Sequence, residues 1–213
     1  MDALSIILAA IGGYLLGSIP FGLVLTRIAG LGDIREIGSG NIGATNVLRT
    51  GRKDLAVATL VLDASKAGIA ALLFTHLPGF SFTAGLVAGA AAFLGHCYPV
   101  WLRFEGGKGV ATFVGTILAV SWPIGLITIG TWIGIAAIFR ISSLAALVAA
   151  AATPIAALAL GMTEVAAMTL FLALLIYWRH NANIARLIRG EEPRIGDKKK
   201  KAEAETASGG GAE

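Results

Sequence analysis

Residues 109–139, GVATFVGTILAVSWPIGLITIGTWIGIAAIF, run for 31 positions without a charged side chain. A bilayer span needs about 20 mostly apolar residues, so this stretch must either tilt steeply or turn. Trp122-Pro123 decides between the two. Proline lacks an N–H and clashes with the turn before it, so it opens a helix more readily than it sits inside one. Two short legs that turn at Pro123 are predicted.

Outward from there the chain offers five more apolar runs. Leu4–Ala29, Phe82–Leu102 and Ser142–Leu160 fit a span comfortably. Asp54–Thr75 is interrupted by Asp63 and Lys66, and Glu164–Trp178 is short but continues as helix beyond the bilayer. The sum is an all-α, polytopic membrane bundle of seven transmembrane helices. Composition agrees: 56% of the 213 residues are hydrophobic and 14% charged, against about 25% charged in soluble domains. Mean hydropathy is +0.78. A soluble core of this size could not hide so much apolar surface, which excludes an ordinary soluble enzyme, a disordered chain and a collagen-like repeat. Cys97 is the only cysteine, so neither a disulfide framework nor a Cys-based zinc site is expected. No Lys or Arg precedes the run from Leu4, which reads as a retained span and not as a cleaved signal.

The charges orient the bundle. Sixteen of the 17 Lys and Arg residues fall in or beside segments 30–53, 103–109, 140–141 and the region after Trp178; Lys66 is the exception. The loops at His76–Ser81, Trp122-Pro123 and Gly161–Thr163 contain none. By the positive-inside rule the N-terminus lies outside and the C-terminus in the cytoplasm. A single span over 109–139 would send Arg140 and the basic tail outside. Gly13-x-x-x-Gly17, Gly85-x-x-x-Gly89 and Gly130-x-x-x-Gly134 predict close helix packing. Residues 1–193 form the membrane domain, and 194–213 read as a disordered basic, glycine-rich tail. Lys198–Lys201 within it either sits near anionic headgroups or is simply solvated.

The few polar residues collect on the cytoplasmic side. The first inner segment holds Gly38-Ser39-Gly40-Asn41-Ile42-Gly43-Ala44-Thr45-Asn46-Val47-Leu48-Arg49. The second holds Gly95-His96-Cys97-Tyr98-Pro99 and Phe104-Glu105-Gly106-Gly107-Lys108-Gly109-Val110-Ala111-Thr112. The last holds Arg179-His180-Asn181-Ala182-Asn183-Ile184-Ala185-Arg186-Leu187, then Gly190 and Glu192. This is phosphate chemistry. Gly106, Gly107 and Gly109 let backbone N–H groups approach an anion, and Lys108 would add its charge at a helix N-terminus. Gly109 stands where a Walker loop needs Ser or Thr, so an NTPase is not expected. Ser39, Asn41, Thr45, Asn46 and Arg49 are further donors, although Ser39 or Thr45 could instead cap a helix. His180 and Asn183 share a helical face, with Arg179 and Arg186 on an adjoining stripe. Asp63 and Lys66 should pair with each other or face a polar cavity.

These three motifs resemble those of the PlsY family, the bacterial acyl-phosphate:glycerol-3-phosphate acyltransferases, over about Ile11 to Glu192. The resemblance implies transfer of an acyl group from acyl phosphate to the 1-hydroxyl of glycerol 3-phosphate in the inner membrane. Lysophosphatidic acid and phosphate are the products, and no metal or cofactor is needed. The local chemistry suggests direct attack, with a catalytic set of Ser39, Arg49, Lys108, His180 and Asn183 expected to hold the acyl-phosphate group. Gly40, Asn41, Thr45, Asn46, Gly106, Gly107, Gly109, Arg179, Arg186 and Glu192 are expected to assist substrate binding, and Lys66, oriented by Asp63, to hold glycerol 3-phosphate. His96 either binds substrate or caps its helix. The general base is His180 or the leaving phosphate itself. Cys97 is read as packing. The expected partners are the bilayer and the two substrates, with no nucleic acid, and a monomer is a workable unit. The rival class is a transporter for a phosphorylated metabolite; against it, the outer loops are almost bare of polar groups and no inverted repeat is evident.

Overall fold

The structure, a computed structural model, describes residues 3–196. Among these, every regular element is helical. The helices are α1 (Ala3–Gly17), α2 (Phe21–Ile28), α3 (Ala44–Val47), α4 (Lys53–His76), α5 (Phe82–Cys97), α6 (Val110–Val120), α7 (Trp122–Phe139), α8 (Ser142–Ala159), α9 (Thr163–Arg179) and α10 (Asn181–Ile188). Five stretches are long and apolar enough to cross a membrane: Ala3–Ile28, α4, Phe82–Leu102, α7 and α8. The pair α9 and α10 makes a sixth, bent by 65°. We read α9 as the crossing part, with α10 turning away beyond it. α6 is apolar but only 11 residues long, about 17 Å at the helical rise against roughly 30 Å of hydrocarbon.

The break at Trp122-Pro123 falls as predicted. Ser121 is extended (φ −158°, ψ 92°), and Pro123 lies in the first turn of α7. A Cβ on Gly125 would come within 2.8 Å of Leu118 Cα, so the two legs fold back on each other. A second break was not foreseen. The first span divides at Ser18-Ile19-Pro20 into α1 and α2, because Pro20 cannot continue the helical ladder. Ser18 Oγ donates to Tyr14 O (2.7 Å), and Ile19 O is freed for another partner.

Small residues set the packing. Cβ atoms on Gly13 and Gly17 would sit 2.2 and 2.0 Å from the Ala88 and Ala92 carbonyl oxygens, so α1 lies directly on the α5 backbone. Gly85 and Gly89 likewise meet Thr75 and Thr116. Gly130 and Gly134 do not follow the expectation: nothing lies within 4 Å of either, because α7 turns that face away from the bundle. The larger side chains Phe93, Phe113, Ile117, Ile124, Leu172 and Ile176 fill a core among α5 to α9. Leu23, Ile34, Val47 and Ala56 form a smaller one that anchors the first polar segment.

The start of the predicted tail is tied down. Ile195 N–H donates to Arg140 O, and Arg140 Nη2 donates to Ile195 O, each at 2.6 Å. Residues 197–213, with Lys198–Lys201, lie outside the described residues.

Candidate active site

The loop before α6 is built on the end of α5. Gly106 N–H donates to Cys97 O (3.1 Å) and Gly107 N–H to His96 O (3.0 Å). Arg179 closes the loop from the other side, with Nε to Gly107 O (3.1 Å) and Nη2 to Gly106 O (2.9 Å). Its guanidinium also lies 5.1 Å from the Tyr98 ring centroid. Such irregular backbone is tolerated near membrane depth only where its polar groups are satisfied within the protein. Two glycines are required for space or conformation. A Cβ on Gly107 would sit 2.0 Å from His96 Nε2, and Gly109 adopts φ +81° against the Phe93 ring. The expectation that the Gly106 and Gly107 N–H groups converge on an anion is therefore corrected: both are spent on α5 carbonyls. No side chain caps the N-terminus of α6, next to Lys108.

From Lys108 a polar chain runs to α8. Lys108 Nζ donates to Asn183 Oδ1 (2.5 Å), and Asn183 Nδ2 donates to Glu192 Oε1 (2.5 Å). Ser143 Oγ donates to the same oxygen (2.7 Å), and Arg186 Nε to Glu192 Oε2 (2.6 Å). Burial pushes the Glu192 carboxyl up, but the hydrogen bonds from Ser143, Asn183 and Arg186 outweigh it and hold it below its ordinary range. Burial pushes the Lys108 ammonium down; Glu192 opposes this, while Arg186, Arg179 and Arg49 add to it. Three arginines and one carboxylate thus lie within electrostatic reach of Lys108.

His180 sits at the corner between α9 and α10 and is 3% exposed. Its Nδ1 is 2.8 Å from Ile176 O. A carbonyl can only accept, so Nδ1 carries the hydrogen and Nε2 presents a lone pair. Burial pushes the imidazole down to about 4, against the bond to Ile176; Lys108 and Arg179 push it further down and Glu192 up. The ring is neutral at pH 7.

The first polar segment is organised by Asn46, which is buried. Asn46 Nδ2 donates to Ile34 O and Ile37 O, both at 2.9 Å. Asn46 Oδ1 accepts from Ser39 N (3.1 Å), Ser39 Oγ (3.3 Å) and Arg49 Nη1 (3.4 Å). Both of its amide hydrogens are used, so Asn46 is a brace and not a free donor. The helix-capping alternative for Ser39 and Thr45 does not hold, because α3 starts after Gly43 with no side-chain cap. Ser39, Gly40, Thr45 and Arg49 are exposed, and Asn41 Oδ1 is buried without a hydrogen-bond partner.

Asp63 and Lys66 do pair, with Nζ 2.8 Å from Asp63 Oδ1 and both side chains 3% exposed. The other two ammonium directions lead to Ile19 O (2.6 Å) and His96 Nδ1 (3.1 Å). One ion pair and two hydrogen bonds hold the ammonium, while Asp63 Oδ1 accepts no hydrogen bond, which leaves Lys66 as a brace beneath the loop. Because the ammonium donates to Nδ1, the His96 proton resides on Nε2, beside Gly107. His96 neither caps its helix with its ring nor stands alone; it links the intramembrane pair to the loop. Sequence reasoning missed Ser143 and the Ile19 carbonyl. Pro20 was the available signal for the latter; nothing local marks Ser143.

A family profile described as Glycerol-3-phosphate acyltransferase matches residues 7–190. The curated Glycerol-3-phosphate acyltransferase of Maricaulis maris is 70% identical over 201 residues, covering 94% of this chain and 92% of that protein. That of Rhodospirillum rubrum is 61% identical, covering 95% and 96%. The crystal structure of PlsY, an integral membrane glycerol 3-phosphate acyltransferase, in its glycerol 3-phosphate form superposes with a TM-score of 0.85. It is 39% identical and covers 92% of this chain and 98% of that one. Its lysophosphatidic acid form gives a TM-score of 0.83 at the same identity, covering 90% and 96%. The chain belongs to the glycerol-3-phosphate acyltransferase family.

Proposed function

We propose that this multi-pass membrane protein transfers the acyl group of an acyl phosphate to the 1-hydroxyl of sn-glycerol 3-phosphate. The hydroxyl oxygen bonds to the acyl carbonyl carbon, the carbon–oxygen bond to phosphate breaks, and lysophosphatidic acid and inorganic phosphate leave. The observation that carries this reading is Lys108: a half-buried ammonium bonded to a neutral amide, beside an uncapped helix N-terminus and three arginines. That set suits the oxyanions of a leaving phosphate.

In this reading Lys108, the α6 N-terminus, Arg49, Ser39 and Asn183 hold the acyl-phosphate group. Glu192, with Ser143 and Arg186, fixes Asn183. The proton of the attacking hydroxyl has two possible acceptors. His180 Nε2 has the lone pair, but an imidazole pushed down to about 4 is a weak base. Phosphate groups ionise a second time near pH ~6, so the leaving phosphate is the better acceptor and His180 serves as a ligand. Asp63, Lys66 and His96 position the loop. Residues 1–193 are the catalytic membrane unit, with seven crossings, the N-terminus outside and the basic segments in the cytoplasm. Counting the short leg α6 separately from α7, although α6 alone falls short of the hydrocarbon thickness, is what keeps Arg140 on the basic side. The bacterial inner membrane is the site of action, with the active site facing the cytoplasm.

The test is phosphate release by purified protein in lipid, given palmitoyl phosphate with and without glycerol 3-phosphate. Release that requires the acceptor and matches lysophosphatidic acid mole for mole is expected. Release without the acceptor would make the protein a hydrolase. No release would return the transporter reading, with uptake into proteoliposomes as its measurement.

A further inference from the structure

The end of the bundle that carries the Lys108 loop holds a cavity of about 410 Å³, lined by Arg27, Arg35, Trp101, Leu102, Arg103 and Glu105. None of these residues takes part in the site described above. The volume falls within the ~300–1,000 Å³ typical of small-ligand pockets.

Its depth is fixed by its neighbours. Arg27 occupies the last turn of α2, the end of an apolar run of 26 residues from Ala3 to Ile28. Ile28 beside it is 80% exposed. Trp101 is half exposed, and its indole N–H donates to Ser18 O (2.6 Å). Phe104 next to it is also exposed. Indole and benzyl groups in this setting mark the headgroup level of a bilayer.

The charge count narrows the ligand. Asp33 takes Arg27 Nη2 at 3.0 Å, Arg35 Nη2 at 2.6 Å and Arg35 Nε at 2.9 Å. Arg27 Nε and Nη1 and Arg35 Nη1 are not used by it. Arg103 makes no ion pair among the described residues. Asp33 is shared by Arg27 and Arg35, and Glu105 and Glu36 act on Arg35, so Arg103 and the unused N–H groups of Arg27 are what remains to meet a single negative charge. A phosphodiester carries one negative charge, whereas a phosphomonoester such as either substrate carries about −1.5 to −2 at neutral pH.

We propose that this cavity binds the phosphodiester headgroup of an anionic bilayer lipid. Arg27 and Arg103 donate to the phosphate oxygens, Glu105 accepts from a headgroup hydroxyl, and Trp101 and Phe104 cover the glycerol backbone and first methylenes. Basic pockets between spans at the membrane surface suit this chemistry.

Native mass spectrometry in neutral detergent tests it, with phosphatidylglycerol, phosphatidylethanolamine and phosphatidylcholine offered separately. One phosphatidylglycerol per chain should be retained, at least roughly tenfold more tightly than either zwitterionic lipid. Arg27→Gln with Arg103→Gln should lose that preference, and Arg103→Gln alone should weaken it. Both variants should keep the detergent acyl-transfer rate and the KM for glycerol 3-phosphate. Phosphatidylglycerol should raise the melting temperature of the parent protein but not of the double variant. Equal retention of the three lipids would overturn the proposal. So would displacement of phosphatidylglycerol by millimolar inorganic phosphate, which would make the cavity a free-phosphate site. A raised KM for glycerol 3-phosphate in the variants would assign the cavity to substrate entry instead.

Discussion

Lys108 donates to the amide oxygen of Asn183, while the Glu192 carboxylate is held at the other end of that same amide. The neutral group between them keeps the lysine oriented without forming an ion pair that would cancel its charge. A direct Lys–Glu contact would be a stronger bond and a poorer phosphate site, since a bound anion would have to displace the carboxylate.

Removing the ammonium should therefore remove catalysis and spare the fold. Lys108→Met is expected to lower kcat by about 10²–10³, the loss typical of a single oxyanion donor. Coupled phosphate-release kinetics measure it, with a melting curve as control. A variant within a few-fold of the parent rate would exclude Lys108 from the phosphate site.

Glu192→Gln tests the brace. Asn183 would lose its charged acceptor and Arg186 its partner, so Asn183 should turn and Lys108 lose its support. A kcat loss of roughly tenfold to a hundredfold is expected, smaller than for Lys108→Met. Ser143→Ala removes one hydrogen bond to the same carboxylate and should cost about 1 kcal/mol of stability. A Glu192→Gln variant less active than Lys108→Met would give Glu192 a direct role.

The buried pair on α4 predicts a stability effect. Asp63→Asn leaves the Lys66 charge buried with only a carbonyl, an imidazole and an amide, and breaking such a pair costs about 3–5 kcal/mol. Asp63→Leu with Lys66→Met should recover much of that loss. Unfolding in detergent followed by circular dichroism reports both, and a double variant no better than the single would show that His96 and Ile19 also depend on the lysine.

His180 gives the pH dependence its sign. Its pKa falls from the ordinary 6.5 to about 4 on folding, so between these values the unfolded chain binds the proton and the folded one does not. The associated stability is complete above pH ~6.5, falls as pH drops toward 4, and totals about 3 kcal/mol. His180→Gln should flatten that slope. The acid limb of the rate profile should follow phosphate ionisation near pH ~6 in the parent and in any active His180 variant. A limb that moves with His180 would make it the base.

Two glycines of the same motif type should behave in opposite ways. Gly13→Ala places a Cβ 2.2 Å from the Ala88 carbonyl oxygen and must push α1 off α5. Gly130→Ala meets nothing within 4 Å and should be neutral or stabilise by up to about 1 kcal/mol. Melting temperatures of the two variants in one detergent decide the matter.

Much of this protein could be read from its sequence, because hydrophobic length and charge asymmetry are local quantities. The run 109–139 with its Trp122-Pro123 break is one example, and the Asp63–Lys66 pairing, three residues apart on one helix, is another. The phosphate motifs were legible because glycines, amides and basic residues cluster within each inner loop. What the local pattern could not carry is how partners divide their hydrogen bonds. Gly106 and Gly107 look like an anion nest until α5 supplies the carbonyls that use their N–H groups. Gly130 and Gly134 look like a packing face until α7 is seen to turn them outward. Asn183, Glu192 and Ser143 come from three separate segments, and only the approach of α8 to α10 makes them one chain. Composition and periodicity determined the solvent and the helices. The tertiary structure decided which donors remain available for a substrate, because a hydrogen bond depends on what stands opposite, and distant segments supply it.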